Sequence, residues 1–478
     1  MTKTIIYIAL LATIYFFALV SSYNYDSDFG RDINDISKIT SGDMTLLGPK
    51  LSFGGIHAGP YYYYLFTPAI LFFKNNPESM LYLNASIFII IFVIIYKIFG
   101  LLPSLYLSTL PLVIYSARSP GNAFSYISLL TLALLLFPQV LKLNKRIVWL
   151  IYGFVAGVII NFHLINLVIF GTLFISCISY FIYKKQSKNI INIFIAGFGI
   201  IIAFSPLILF EVTHNFVQIR NTFIDQSYQA FTNNTNLANN PLITSSNPLI
   251  NLWFLQKYYS AWSGLPFILL FVGNILLFIK TKNKSGHQII IFFTSIISYL
   301  IFAIIAQSQL AFHYFFPFII ITAVSIVNLL PKNNHTIIYI LIIGNMLFFP
   351  TSFYKPATRN IIEYKTFSNN LINSEIFKKI NNNSFNLYCA RETTVAPLGW
   401  EYRYYLNNYG YQAKTPTEFA QSQNLLIIQE STNHETIDTL RSWGLDQFGP
   451  KTLVDKLSLD NRTIYLFQHD DAIKPQLK

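Results

Sequence analysis

The chain has 478 residues, of which 53% are hydrophobic, 17% are aromatic and only 11% are charged, and its mean hydropathy is +0.46. A soluble domain needs a larger charged surface, so this composition excludes an ordinary water-soluble protein and indicates a membrane protein. The net charge of +12 does not indicate nucleic-acid binding, because the basic residues form short clusters between apolar runs. Two cysteines, Cys177 and Cys389, give no basis for a disulfide framework or a cysteine metal site.

The region before residue 354 contains about eleven apolar runs that approach the length of roughly 20 residues needed to cross a bilayer. We interpret the first run as an uncleaved anchor rather than a signal peptide, because the rest of the chain is itself apolar. The 13 residues Tyr61 to Phe73 are too few for a full span and predict a half-inserted interfacial helix. The predicted spans are Ile5–Ser22, Leu81–Ile98, Leu101–Ser116, Phe124–Leu141, Val148–Asn161, Leu164–Tyr183, Ile190–Phe210, Trp262–Ile279, Ile289–Ala306, Tyr314–Leu330 and Ile337–Phe349.

Clusters of Lys and Arg predict the orientation of these spans in the cytoplasmic membrane. They fall on one side if the spans alternate, and the positive-inside rule assigns that side to the cytoplasm. The N-terminus is then cytoplasmic and the C-terminus extracytoplasmic. The clusters are Lys3, Lys97, Lys142 with Lys145 and Arg146, Lys184 with Lys185 and Lys188, Lys280 with Lys282 and Lys284, and Lys332.

The composition changes at residue 354, where charge density rises and long apolar runs end. Strand-like segments alternate there with helix-like ones, which is typical of a small α/β domain. The predicted strands are Phe385–Cys389, Leu425–Gln429 and Thr463–Phe467, and the predicted helices are Leu398–Asn407 and His434–Trp443. The sequence therefore predicts a polytopic α-helical membrane domain over 1–353, with its first outer loop at 23–80, and an extracytoplasmic α/β domain over 354–478.

Three carboxylates, Asp26, Asp28 and Asp32, follow the first predicted span within seven residues. Carboxylates crowded beside a membrane are unfavourable, so they are either solvated loop acids or part of a site that uses them. Transfer of a sugar from a phosphate to a hydroxyl requires a base to take the hydroxyl proton, and a carboxylate can serve. Asp28 is the first candidate for this base and Asp26 the second.

Two motifs carry a resemblance to a known family: Asp26-Ser27-Asp28, and His57-Ala58-Gly59-Pro60 with the tyrosines that follow it. The sequence resembles the GT-C class of membrane glycosyltransferases, in the branch of protein O-mannosyltransferases and lipid A aminoarabinose transferases. The resemblance extends from residue 1 to about 350. It implies that a loop acid, here Asp28, is the base of an inverting transfer from a polyprenyl-phosphate sugar. Phe29 stands where many members have a second acid, which leaves Asp26, Asp28 and Asp32 open.

A lipid-phosphate donor requires a partner for its anion, and a guanidinium matches phosphate oxygens well. Arg118 lies in a predicted outer turn with Asn122, and we expect both residues, with His57, to bind the donor phosphate or lipid. The alternative for Arg118 is a side chain that extends from a helix end to the interface.

Tyr62, Tyr63, His163, His214 and His313 are the candidate substrate-binding residues, because all fall on the predicted outer side. Tyrosines can stack on sugar faces, although a tyrosine run is also typical of the interfacial aromatic belt. The alternative for the histidines is a packing role. The Asn-rich loop at 221–251 is expected to gate the acceptor or the lipid.

No spacing typical of a metal site occurs, so we predict no required metal or other cofactor. The expected partners are a polyprenyl-phosphate sugar that donates a hexose or pentose, a glycan, lipid or protein acceptor, and membrane lipids, but no nucleic acid. A transporter or flippase for a lipid-linked glycan is the first alternative, although it should show repeats and charges near span centres. A receptor or assembly subunit is the second.

Overall fold

The computed structural model describes a mainly helical chain with one small sheet. The residues it describes are 2–51, 56–73, 76–223, 260–305, 312–330, 335–349, 351–380, 384–390, 398–415, 418–430 and 443–470. The chain divides into two compact units, which we describe separately. The predicted gate at 221–251 and the predicted helix His434–Trp443 lie largely outside these residues.

The first unit comprises Met1–Leu19, Asp43–Pro68 and Met80–Tyr354. Its helices, together with those that cross its boundaries, are α1 (Thr2–Phe16), α2 (Leu19–Ser22), α4 (Tyr61–Phe72), α5 (Glu78–Phe99), α6 (Leu101–Ser108), α7 (Pro111–Arg118), α8 (Ile127–Leu143), α9 (Arg146–Phe162), α10 (Asn166–Tyr183), α11 (Ile190–Ala203), α12 (Ser205–Thr213), α13 (Val217–Phe223), α14 (Phe267–Lys280), α15 (Gly286–Ile305), α16 (Phe316–Leu329) and α17 (His335–Leu347).

By length and composition, five helical segments among the described residues can cross a membrane, or six if one pair bent by 57° counts as a single span. The five are Thr2–Ser22, Glu78–Phe99, Asn166–Tyr183, Gly286–Ile304 and Phe312–Leu329, and the bent pair is Ser187–Ala203 with Ser205–Thr213. The predicted count of about eleven spans is not confirmed.

One predicted span, Leu101–Ser116, is two short helices in the structure. Helix α6 ends at Ser108 and α7 begins at Pro111, whose ring nitrogen has no hydrogen to donate to the preceding turn. A hydropathy pattern continues across such a break because the residues remain apolar. The segment Tyr61 to Phe73 is confirmed as one short helix, α4. Its interfacial position stays a prediction.

Glycines allow α9 and α11 to pack with their backbones in contact. A Cβ atom on Gly153 would lie 1.9 Å from the carbonyl oxygen of Ala196, and one on Gly199 would lie 2.3 Å from that of Leu150. Small residues permit this approach in membrane helices, where there is little hydrophobic drive between helices. This close packing helps to position α9, which ends at the candidate residue His163.

The second unit comprises Val20–Gly42, Ala69–Ser79 and Lys355–Lys478. Its sheet has the order β1-β2-β4-β3, in which β1 and β2 are parallel and the other pairs antiparallel. The elements are α3 (Ser27–Thr40), α18 (Ile361–Ile372), α19 (Glu375–Lys378), β1 (Phe385–Ala390), α20 (Trp400–Asn408), β2 (Asn424–Gln429), α21 (Trp443–Phe448), β3 (Lys451–Leu459) and β4 (Arg462–His469). The predicted C-terminal sheet is confirmed, whereas β3 was not predicted.

Helix α3 lies in the predicted first outer loop and packs against the C-terminal helix α20. A Cβ atom on Gly30 would lie 2.8 Å from the backbone nitrogen of Glu401, so only glycine permits this contact. Asn407 donates a hydrogen bond of 3.1 Å to the side chain of Asn34. The loop that carries the acidic motif is therefore part of the same unit as the C-terminal sheet.

Candidate active site

The first turn of α3 holds the acidic motif in a defined conformation. Asp26 is the N-cap, and its carboxylate accepts a hydrogen bond of 2.8 Å from the backbone nitrogen of Phe29. Such a cap satisfies one of the N–H groups that a helix leaves unpaired at its start. Asp28 lies in this first turn, where the helix dipole favours a negative charge.

Arg31 lies between the two remaining acids and bonds to both. Its Nη1 is 2.8 Å from Oδ1 of Asp28, while Nη2 and Nε are 2.7 and 2.9 Å from Oδ1 of Asp32. The side chain of Asp28 is 80% exposed, whereas that of Asp32 is 3% exposed. Arg31 thus connects an accessible carboxylate to a buried one.

Burial raises the pKa of Asp32 to about 7, although the neighbouring Arg31 guanidinium opposes this rise. A buried carboxylate loses hydration, which favours its neutral form, while a nearby cation favours its ionised form. Asp32 therefore depends on Arg31 for its charge.

The three acids have different structural roles. Asp26 caps a helix and Asp32 is buried against Arg31, whereas Asp28 is accessible and held by a single arginine contact. A base must reach the proton that it removes, and accessibility favours Asp28. The assignment of the base stays a prediction, and this geometry supports it.

Arg118 is buried at the end of α7 and donates to backbone carbonyls at the end of α1. Its Nη1 is 2.8 Å from the oxygen of Phe17 and 3.1 Å from that of Tyr15, and its Nη2 is 3.2 Å from that of Phe353. Its guanidinium also lies 4.3 Å from the centre of the Tyr354 ring. These contacts satisfy carbonyls that a helix C-terminus leaves unpaired. A phosphate-binding role for Arg118 stays a prediction beside this structural one.

His57 and Asn122 are held by hydrogen bonds to parts of the chain remote in sequence. The backbone nitrogen of His57 donates to Oε1 of Gln218 at 2.5 Å, and Asn122 donates to the carbonyl of Phe162 at 3.2 Å. Gln218 is buried, and its own backbone nitrogen donates to Glu211 at 3.3 Å. Sequence reasoning missed Gln218, because an isolated glutamine in a polar segment gives no signal.

Tyr62 and Tyr63 are buried in the first unit rather than presented as an open sugar platform. The Tyr62 hydroxyl donates to the carbonyl of Pro120 at 2.5 Å, and its ring lies 6.1 Å from that of Phe162. Both side chains are almost fully buried. Their contacts in the structure are packing contacts, and sugar binding stays a prediction for both.

His163 and His313, far apart in sequence, meet in what we call the histidine cluster, which also contains Tyr126 and Tyr314. The two imidazole centres are 5.2 Å apart, and both lie 4.7 Å from the Tyr314 ring. Tyr126 stacks on His163 at 6.1 Å. Nδ1 of His163 is buried and has no hydrogen-bond partner within the part of the chain that the structure describes. Buried polar atoms are normally paired, so this atom is available to a polar ligand or a water.

His214 is not brought to the histidine cluster by any contact among the described residues. Its ring stacks on Phe210 at 4.1 Å, and its Nδ1 lies 2.9 Å from the carbonyl oxygen of the same residue. Within the described ranges, no group of three or more His, Cys, Asp or Glu side chains could hold a metal ion. The absence of a required metal or cofactor stays a prediction.

Two solved structures of ArnT from Cupriavidus metallidurans share this architecture over the whole chain. The structure bound to undecaprenyl phosphate has a TM-score of 0.60 and 10% identity, and covers 99% of both chains. The apo structure has a TM-score of 0.59 and 9% identity, and covers 98% of both chains. The chain has the fold of ArnT. No family model and no curated protein sequence matches it.

The ArnT fold confirms, at the level of architecture, the resemblance to GT-C membrane glycosyltransferases that the short motifs predict. At 10% identity the similarity reports on the fold and assigns no residue of this chain a role. The candidate site residues therefore rest on their chemistry and surroundings. On those grounds Asp28 and the histidine cluster are the strongest, because one is accessible and the other contains a buried nitrogen without a described partner.

Proposed function

We propose that this protein is an inverting glycosyltransferase of the cytoplasmic membrane that moves a hexose or pentose from a polyprenyl-phosphate donor to an acceptor hydroxyl on the outer face. The ArnT-like fold supports this proposal, since one ArnT structure holds undecaprenyl phosphate. The apolar helices that can cross a bilayer support it as well. The acceptor would be a glycan, a lipid or a protein.

In this reaction the acceptor oxygen attacks the anomeric carbon from the face opposite the phosphate. A new carbon–oxygen bond forms while the bond to the phosphate oxygen breaks, and the prenyl phosphate leaves with that electron pair. The hydroxyl proton passes to a carboxylate as the bond forms, which is general base catalysis. The step needs no oxidant or reductant.

The observation that carries the proposal is the state of Asp28. It is the accessible carboxylate of the acidic motif, and Arg31 contacts it at 2.8 Å. Arg31 holds this carboxylate at the start of the helix while leaving it accessible. Asp28 is the base in this proposal, and Asp26 and Asp32 hold the turn that presents it.

The remaining candidates supply binding in the proposal. Nδ1 of His163, which has no hydrogen-bond partner among the described residues and lies beside His313, can accept a hydrogen bond from, or donate one to, a substrate hydroxyl or phosphate. The donor head group would also meet Arg118, Asn122 and His57. The substrate-binding set is completed by Tyr62, Tyr63 and His214.

Replacement of Asp28 tests this function in a matched pair of variants. We expect Asp28→Asn to reduce transfer from polyprenyl-phosphate sugars about 100-fold or more in a membrane assay, because a lost general base typically costs that much. Asp35→Asn is the control, since Asp35 lies on the same helix and pairs with Lys38 three residues on. We expect it to keep wild-type transfer. Equal activity of the two variants at equal expression would contradict the assignment of Asp28.

A further inference from the structure

Six cations form what we call the basic patch, at one end of the first unit. Three lie where α8 ends and α9 begins, and three lie in the connection between α10 and α11. All six are exposed, and neither connection contains an acidic residue. The basic patch consists of Lys142, Lys145, Arg146, Lys184, Lys185 and Lys188.

Asparagine side chains hold the two connections of the basic patch together. Asn144 donates to Asn189 at 3.1 Å, and Asn192 donates to Asn144 at 2.7 Å. Asn144 ends α8 in the left-handed conformation, with φ of 47°, which asparagine adopts more readily than most residues. The six cations are therefore brought into one surface by side-chain hydrogen bonds.

The basic patch has no anionic partner within the residues that the structure describes. None of its six side chains forms an ion pair with another described residue. Lys145 and Arg146 moreover stand at the start of α9, where no side chain caps the helix and the dipole is positive. Cations are unfavourable there, and an anion would relieve both the repulsion and the unpaired N–H groups.

Apolar side chains surround these cations and are exposed themselves. They include Leu143, Ile147, Ile182 and Tyr183. Side chains of this kind, next to Lys and Arg, are typical of the depth at which a bilayer changes from hydrocarbon to head groups. The anions present at that depth are lipid phosphates.

We propose that the basic patch is a binding surface for anionic phospholipid head groups. The positive-inside rule explains why cations lie on this side, but it requires no hydrogen bonds between the two connections. Clusters of this size beside a membrane attract anionic lipids, with an affinity change on the order of fivefold for each cation near the surface. The proposal is independent of the proposed function and of its active-site residues.

Native mass spectrometry of the full chain, taken from micelles that contain equal amounts of phosphatidylglycerol and phosphatidylcholine, tests this proposal. The test variant is Lys184→Gln with Lys185→Gln and Lys188→Gln. The control removes three cations from the second unit, through Lys378→Gln, Lys379→Gln and Lys456→Gln. We expect wild type and control to retain phosphatidylglycerol preferentially. The ratio of bound phosphatidylglycerol to bound phosphatidylcholine should be at least fivefold lower in the test variant.

A variant with arginine at positions 184, 185 and 188 should keep the preference, because the charge is kept. If the glutamine variant fails to insert, the wild type still decides the question, since its preference must fall as salt rises. Equal preference in the test variant and the control would overturn the proposal. So would a preference in the wild type that does not change with salt, or retention of free inorganic phosphate in place of the lipid.

Discussion

Arg31 and Arg118 occupy contrasting regions of the molecule. Arg31, on α3 of the second unit, contacts two carboxylates at 2.7 and 2.8 Å. Arg118, on α7 of the first unit, donates to backbone carbonyls and lies over an aromatic ring. The first contact balances charge, whereas the second satisfies the end of a helix. The same residue type therefore pairs with the acids of a candidate site in one unit and stabilises a helix end in the other.

This contrast shows why residue type alone does not identify a site. Both arginines follow apolar segments on the predicted outer side, and the sequence reasoning selected Arg118 as the phosphate ligand. The structure shows that Arg31, which the sequence patterns did not indicate, contacts two acids of the motif. The spacing of three residues from Asp28 and one from Asp32 is the signal that could have identified it, because residues three apart share a helix face.

The largest effect expected from this comparison is on stability, through Arg118. We expect Arg118→Ala to reduce the free energy of unfolding by about 3 kcal/mol, because several buried carbonyls lose a charged donor. Thermal unfolding in detergent measures the change. Arg118→Lys should recover part of it, since an ammonium can reach fewer of these carbonyls than a fork of N–H groups. A stable Arg118→Ala protein that has lost transfer activity would instead favour the phosphate role.

A smaller effect is expected at Arg31, on activity. We expect Arg31→Gln to reduce transfer about tenfold, because Asp28 loses the contact that holds its carboxylate and the nearby positive charge. The measurement is the initial rate with a saturating donor. Lys38→Gln is the matched control, since Lys38 pairs with Asp35 on the same helix. A rate for Arg31→Gln equal to that of the control would remove Arg31 from the candidate site.

The smallest effect concerns Asp32 and pH. The pKa of Asp32 is raised to about 7 in the folded chain, from an ordinary value of 3.8. Between these values the folded state binds more protons than the unfolded state, so the contribution of Asp32 to stability falls as pH rises from about 4 to 7. We expect the melting temperature of wild type, relative to Asp32→Asn, to decrease by a few degrees over that range. A constant difference would show that Arg31 keeps Asp32 ionised throughout.

The sequence allowed several features to be predicted because they depend on short-range patterns. Apolar runs predicted most of the helices, and the segments around Leu387, Ile427 and Leu466 predicted three of the four strands. The resemblance carried by the motif Asp26-Ser27-Asp28 predicted the type of fold that the ArnT structures share with this chain. These features can be predicted from the periodicity and polarity of neighbouring side chains alone.

Other features depend on contacts between distant residues. Strand β3 was missed because none of its residues is buried and charged side chains interrupt its apolar ones, so the sequence shows no run of core-facing residues. His163 and His313 are 150 positions apart, and nothing local shows that their rings meet. Gly30 and Glu401 likewise lie far apart in sequence, and their close contact can be seen only in the folded chain.

The second unit draws on three separate stretches of the chain, and most of the helices that can cross a membrane lie between its second and third stretches. No single cut can release it intact, because a fragment that begins at residue 355 lacks α3 and exposes the surface of α20 that α3 covers. The acid-bearing helix and the C-terminal residues therefore have to fold together. Changes at Trp400, Glu401 or Asn407 can therefore affect the acidic turn without altering Asp26, Asp28 or Asp32.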